Sequence, residues 1–336
     1  MLKRGEKVRH VGITSTGMYV PDRVLTNKHL ERMVDTTDEW IRSRTGIQSR
    51  HIAPPGTPAS DIAKPAVLEA LKNRGLHPDS IDQLIVTTVT PDMLFPSTAC
   101  VLQEKIGARN AWGYDLSAAC SGFLFGVGVG YQAVASGTAD LVAIVGVDVL
   151  TTITDWTNRN HCVLFGDACG TILLEPIPDD EPGIIDAIYR LDGSGGEFLN
   201  MLGGGSLNPP SHDTVDRGMH YLYQDGRAVF KVAATYMADV TTEVLEKNGY
   251  TVSDITLLVP HQANLRIIEA VAKKLRIRRE KVLINIDRYG NTTSATIPMG
   301  LYEASAEGRI KKGDLIVLTS FGGGYTWGAV LLRWGY

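Results

Sequence analysis

Ala139-Asp140-Leu141-Val142 and Gly313-Asp314-Leu315-Ile316 are two versions of one phrase, a turn running into an apolar strand, 174 residues apart. Ile81 and Ile255, each at the head of another apolar run, keep the same 174-residue offset, and Cys120 falls opposite Asn291 at 171. A near-constant offset points to two similar halves, 1–175 and 176–336, with chance likeness between generic strands as the alternative. Short β-branched runs at 81–88, 141–147, 257–259, 282–286 and 315–319 predict buried strands. Between them, 63–74 and 228–247 predict helices, each closed by a glycine, Gly75 or Gly249. Alternating strands and helices imply an α/β fold, and the glycine-rich stretch 193–210 reads as a connecting loop.

Composition narrows the function. At 336 residues the chain makes about two domain-sized units, and 44% hydrophobic against 21% charged residues is a folding composition. A net charge of −4 gives no bulk attraction to nucleic acid or to an anionic membrane. Cys100, Cys120, Cys162 and Cys169 lack metal-ligand or CxxC spacing, so no zinc site is expected and a reduced, cytoplasmic setting fits. The charged stretch 1–10 is followed by Thr, Ser and Gly rather than an apolar run, so no export signal is expected. The apolar run 141–150 is interrupted by Asp148 and is far short of the roughly 20 residues that span a bilayer.

Three residues carry candidate chemistry. Cys120, in Tyr114-Asp115-Leu116-Ser117-Ala118-Ala119-Cys120-Ser121-Gly122-Phe123, is expected at a strand-to-helix turn, where a helix N-terminus favours a thiolate. The other three cysteines read as small buried hydrophobes. His261 follows the apolar strand and Pro260, where α/β folds place ligands, while the other seven histidines read as surface groups. Asn291, in Gly290-Asn291-Thr292, is either turn chemistry or a partner of Cys120. Cys, His and Asn together serve papain-like hydrolysis or carbon-carbon bond formation on thioesters. The papain signature is absent and the cysteine lies mid-chain, which disfavours hydrolysis.

Further stretches extend the pattern: Asp38-Glu39-Trp40-Ile41 with Arg44-Thr45-Gly46-Ile47, Phe165-Gly166-Asp167, Val259-Pro260-His261-Gln262-Ala263-Asn264-Leu265-Arg266, and Phe321-Gly322-Gly323-Gly324. With Ala118-Ala119-Cys120-Ser121-Gly122-Phe123 and Gly290-Asn291-Thr292, they make the chain resemble, over nearly its whole length, the β-ketoacyl-acyl carrier protein synthase III family of the thiolase superfamily. The resemblance implies a five-layered α-β-α-β-α sandwich of two pseudo-repeat halves. It also implies a decarboxylating condensation initiating type II fatty acid synthesis, with an acyl-CoA and malonyl-acyl carrier protein as substrates and no metal or redox cofactor.

Residue by residue, it makes Cys120 the nucleophile, His261 and Asn291 donors to the enolate, and the N–H groups of Cys120 and Gly323 an oxyanion hole. Trp40, Arg44 and Arg159 would bind coenzyme A, with the neighbouring Trp156 a departure from the expected small residue. Gln262, Ala263, Asn264, Leu265, Arg266 and Lys231 would meet the carrier protein, and Phe95 would close the acyl pocket across a homodimer. Competing readings are a polyketide or other secondary-metabolism condensing enzyme and a non-catalytic acyl-binding scaffold. Plant-type polyketide synthases carry Gly-Phe-Gly-Pro-Gly where this chain has Phe321-Gly322-Gly323-Gly324.

Overall fold

The structure, a computed structural model, describes residues 8–336; residues 1–7 of the charged N-terminal stretch lie outside the described residues. One sheet takes its strands from β1 (His10–Tyr19), β2 (Gln83–Thr87), β3 (Trp112–Leu116), β4 (Val142–Val149) and β5 (Asp167–Ile177), in the order β1-β5-β4-β2-β3. The other uses β6 (Ile184–Leu191), β7 (Leu257–Pro260), β8 (Leu315–Gly322) and β9 (Thr326–Arg333), in the order β6-β9-β8-β7. The two orders superpose strand for strand, and the starts of β1 and β6, like those of β2 and β7, are 174 residues apart. Since β5 runs to Ile177, the change of sheet comes after residue 177, slightly beyond the expected 175.

The fifth strand of the second sheet is missing, and the strand expected at 282–286 does not form. Only a bridge between Val282 and Leu258 survives. Beyond it the side chain of Gln262 takes the place of a strand partner: its amide donates to Leu283 O at 3.2 Å, and its Oε1 accepts from Asn285 N–H at 3.1 Å. The chain then turns into a short helix, Ile286–Tyr289, which leads to Asn291.

Helices complete the layers. On the outer face of the first sheet lie α2 (Ala59–Arg74) and α3 (Thr98–Ile106), numbered after α1 (Asp38–Thr45), which flanks the site. Between the sheets run α4 (Gly122–Ala135) and α7 (Thr296–Ala306), and over the second sheet lie α5 (Gly226–Lys247) and α6 (Leu265–Leu275). The fold is the five-layered, thiolase-like α-β-α-β-α sandwich. The central layer sets the sequence of α4: a Cβ at Gly126 would sit 2.8 Å from Thr87 Cγ2 and 3.0 Å from Ile144 Cγ2, so the helix lies on the sheet only because that position is bare. α5 begins at Gly226, two residues ahead of expectation, because the Asp225 carboxylate accepts the N–H groups of Arg227 and Ala228 at 2.9 and 3.0 Å.

Candidate active site

Strands β2 and β7 end on the same side as two turns that open the central helices, Ala119–Ser121 before α4 and Thr293–Ala295 before α7. A cavity of about 870 Å³ opens there, lined by Cys120, His261 and Asn291 among others. Its size suits a small-molecule site. The structure thus brings together the three residues singled out from sequence, one from the first sheet's half and two from the second's.

The turn that carries Cys120 is clamped from the opposite sheet. Ser320 Oγ donates to Cys120 O at 2.8 Å, Ser121 Oγ to Thr326 O at 3.0 Å, and Thr326 Oγ1 to Ala118 O at 3.0 Å. Ala119 is held at φ 48°, a left-handed conformation that costs a residue with a Cβ roughly 1–2 kcal/mol. Gly322 makes the close approach possible, since a Cβ there would lie 2.7 Å from Cys120 N. Gly323 lines the cavity beside it.

The packed surroundings of Cys120 do not favour the expected thiolate. Burial, with the Asp148 carboxylate second, pushes the Cys120 thiol up to about 12, outweighing its place just ahead of a helix. His261 is 1% exposed, and burial pushes its imidazole down to about 3. The resting pair is therefore a neutral thiol and a neutral ring.

His261 Nδ1 lies 2.8 Å from Thr296 Oγ1, while Nε2 has no partner among the described residues. Asn291 Oδ1 accepts Thr293 N–H at 2.9 Å, which leaves the amide NH2 as the group this side chain offers the cavity. The backbone of Asn291 is fixed by Leu164 and Gly166: Asn291 N–H donates to Leu164 O at 2.9 Å and Gly166 N–H to Asn291 O at 3.1 Å. Phe165-Gly166-Asp167 is thus a support for Asn291. Asp167 anchors it, accepting from Ala53 N–H and from Thr151, and its own carboxyl is pushed up to about 6 by burial.

At the mouth, Arg159 Cζ lies 5.1 Å from the Trp40 ring centroid, in direct cation–π contact. The two residues expected to bind coenzyme A thus lie against each other. Trp156 takes another role, packing on the core while its Nε1 donates to Thr151 O at 3.2 Å. Arg44 lines the cavity, and its carbonyl accepts from Asn264 Nδ2 at 3.1 Å.

Of the six carrier-protein residues, Gln262 is fully buried and its amide is used inside the fold, so it cannot meet a partner's surface. Asn264 caps α6, Ala263 and Leu265 are half-buried, and Arg266 and Lys231 are exposed. Phe95 is 84% exposed beside Leu94 at 81%, an apolar tip directed outward.

Three readings from sequence need correction or addition. Cys100 is exposed rather than buried, on the outer turn of α3. His161, grouped with surface histidines, is buried in the cavity wall with Nδ1 unpartnered. Asp148 was read only as a break in an apolar run. It is a buried carboxylate that accepts from Thr88 Oγ1 at 3.0 Å, from Val89 N–H at 2.8 Å and from Thr90 Oγ1 at 3.0 Å, tying the β2 end to β4.

A thiol, an imidazole and a carboxamide converging between two duplicated sheets define a thiolase-like condensing acyltransferase. The family profiles for 3-oxoacyl-[acyl-carrier-protein (ACP)] synthase III match residues 114–193 and, for its C-terminal part, 245–334. The β-ketoacyl-[acyl-carrier-protein] synthase III of Solibacter usitatus is 52% identical over 96% of this chain and 98% of its own length. That of Koribacter versatilis is 49% identical over 98% of this chain and 99% of its own. The crystal structure of 3-oxoacyl-[acyl-carrier-protein] synthase III from Aquifex aeolicus superposes with a TM-score of 0.89 at 43% identity, covering 96% of this chain and all of that one. The chain belongs to the β-ketoacyl-[acyl-carrier-protein] synthase III family and is an initiating condensing enzyme of fatty acid biosynthesis. The polyketide and scaffold readings are not favoured. No helix among the described residues is long and apolar enough to cross a membrane.

Proposed function

We propose that Cys120, His261 and Asn291 carry a two-stage reaction. Cys120 gives up its proton as its sulfur attacks the thioester carbon of a short acyl-CoA, with the N–H groups of Cys120 and Gly323 receiving the oxyanion; the bond from that carbon to the coenzyme A sulfur then breaks, and coenzyme A takes up a proton and leaves as its thiol. Malonyl-acyl carrier protein then enters. The electrons of its C–CO2⁻ bond pass into an enolate whose oxygen accepts hydrogen bonds from His261 Nε2 and Asn291 Nδ2, and CO2 leaves. The enolate carbon then attacks the Cys120 acyl carbon; the C–S bond to Cys120 breaks, its sulfur leaves with the electron pair and takes up a proton, and 3-oxoacyl-carrier protein is released. These electron movements need no metal or redox cofactor. The observation that carries the reading is the pair of groups in the cavity wall beside Cys120: a buried Nε2 with no partner among the described residues and an amide whose oxygen is already taken.

On this reading Trp40, Arg44 and Arg159 hold coenzyme A. The exposed apolar tip at Leu94 and Phe95 suits a homodimer in which Phe95 closes the other subunit's acyl pocket. Carrier-protein docking rests on Arg266 and Lys231 with the basic face of α6. Seven basic and two acidic residues between Arg266 and Lys281 give a local +5 in a chain at −4. Two of the seven, Arg278 and Arg279, pair with Glu280 and Glu269, and Lys281 turns its ammonium to the carbonyls of Ser253 and Ile255, leaving Arg266, Lys273, Lys274 and Arg276 exposed without an ion pair among the described residues. An acidic carrier protein complements that face. The work is that of a cytoplasmic enzyme with neither nucleic acid nor membrane as partner, and 1–175 and 176–336 serve as the nucleophile and donor halves.

Incubation with a panel of acyl-CoAs and intact-mass measurement tests the assignment. One acyl group should appear per chain, on the peptide containing Cys120, and the preferred adduct names the starter. Absence of any adduct, or an adduct elsewhere, overturns it.

A further inference from the structure

The proposed enolate step requires His261 to present an N–H, not a lone pair, from Nε2. A neutral imidazole has one of each, and which nitrogen carries the proton is set by the hydrogen bond made at the other. Here the other nitrogen, Nδ1, meets only a hydroxyl, Thr296 Oγ1 at 2.8 Å, in a site where His261 is 1% and Thr296 3% exposed. That hydroxyl has one proton and two acceptors within reach, Nδ1 and Thr293 O at 2.9 Å. Thr293 O, however, already accepts the backbone N–H of Thr296 at the start of α7. Turning the hydroxyl proton to Nδ1 therefore still leaves the Thr293 carbonyl paired.

Resting on the reading of His261 as enolate donor, we propose that Thr296 is a positioning residue whose O–H donates to Nδ1, fixing the tautomer in which Nε2–H points into the cavity. The same turn sets both donors, because the Thr293 N–H holds Asn291 Oδ1 while the Thr293 carbonyl holds the start of the helix that carries Thr296. Burial keeps the ring neutral, so its one proton has one place to be.

Nitrogen-15 labelling of the histidine rings, with the His261 signals identified by their loss in His261→Ala, reads the tautomer in the unmodified enzyme. Nε2–H with a bare Nδ1 is expected; Nδ1–H would overturn the assignment. Thr296→Val keeps the shape and removes the donor. Decarboxylation of malonyl-carrier protein should fall about 10- to 100-fold in kcat with little change in KM. Acylation by acyl-CoA should hold, and Thr296→Ser should restore decarboxylation. If His261→Ala removes decarboxylation while Thr296→Val leaves it intact, the role of Thr296 is wrong and that of His261 stands. If His261→Ala leaves decarboxylation intact, the catalytic reading itself fails.

Discussion

The turns Ala119–Ser121 and Thr293–Ala295 are the same piece of backbone used twice. Each holds one residue with a Cβ in the left-handed region, Ala119 at φ 48° and Thr293 at φ 47°, and each leads into a helix of the central layer. These residues are 174 apart, so the positional counterpart of Cys120 is Ser294, and the sequence match of Cys120 with Asn291 was three residues out of register. The side chains at the two counterpart positions do opposite things. Cys120 lines the cavity, whereas the Ser294 hydroxyl is wholly buried, donating to Thr87 O at 2.7 Å with Asp148 Oδ2 at 3.1 Å. A shared strained turn supplies rigidity to both halves; which atom is left unspent decides which half reacts.

Breaking the first turn should have the largest effect. Cys120→Ser replaces a thiol with a poorer nucleophile, and acylation from acyl-CoA should drop on the order of 10³-fold or more. Stopped-flow release of coenzyme A measures it, and a burst at full stoichiometry would refute the assignment. Next comes Asn291→Ala, which removes a donor present only at the second turn. Decarboxylation should fall about 10²- to 10³-fold while acylation changes little. Equal loss in both half-reactions would make Asn291 a fold residue.

Ser294→Ala sharpens the contrast by stability. Leaving buried acceptors unmet should lower the unfolding free energy by about 1–3 kcal/mol in denaturant titration, with the acyl adduct still one per chain. A pH titration separates the rings by protonation. Below about pH 6.5 the unfolded chain protonates His261, but the folded one does so only near pH 3, so stability falls as pH falls across that window, by about 1.4 kcal/mol per pH unit. Buried Asp167, pushed up to about 6, acts with the opposite sign, so the measurable quantity is the difference between wild type and His261→Gln. That difference should shrink steadily from pH 6.5 downwards, and a flat one would show that the ring is not held neutral. Smallest, Arg266→Glu should slow carrier-protein turnover several-fold and blunt its salt dependence, leaving acylation by acyl-CoA intact. Indifference of the carrier-protein step to both salt and the reversal would reduce the patch to a solvated face.

What the sequence made legible follows from locality. Apolar runs of strand length and glycine-closed helices gave the alternation, and the 174-residue echo gave the duplication, because each is written in contiguous residues. The strand at 282–286 could not be judged that way: its apolar pattern is a strand's, but the buried amide of Gln262, twenty residues earlier, takes the pairing. Protonation was equally hidden. A helix start argues for a thiolate, but only the packed structure shows the Asp148 carboxylate and the depth of burial that reverse it. Thr296 escaped notice because a threonine near a helix start is ordinary; its meaning is the imidazole 35 residues away in the chain.

The Trp40–Arg159 contact changes how the mouth should be thought of. A guanidinium resting on an indole 5.1 Å from its centroid gives each a partner within the fold, so on the proposed coenzyme A reading a planar ligand arriving there would trade one contact for others instead of adding two. Such a cation–π contact at an exposed site is worth about 0.5–1 kcal/mol, which on that reading would be deducted from the hold on the incoming nucleotide and returned when it goes. If, as proposed, two different carriers pass through this mouth in succession, a grip that resets itself would favour turnover over retention, since a nucleotide that lingered would block the next arrival.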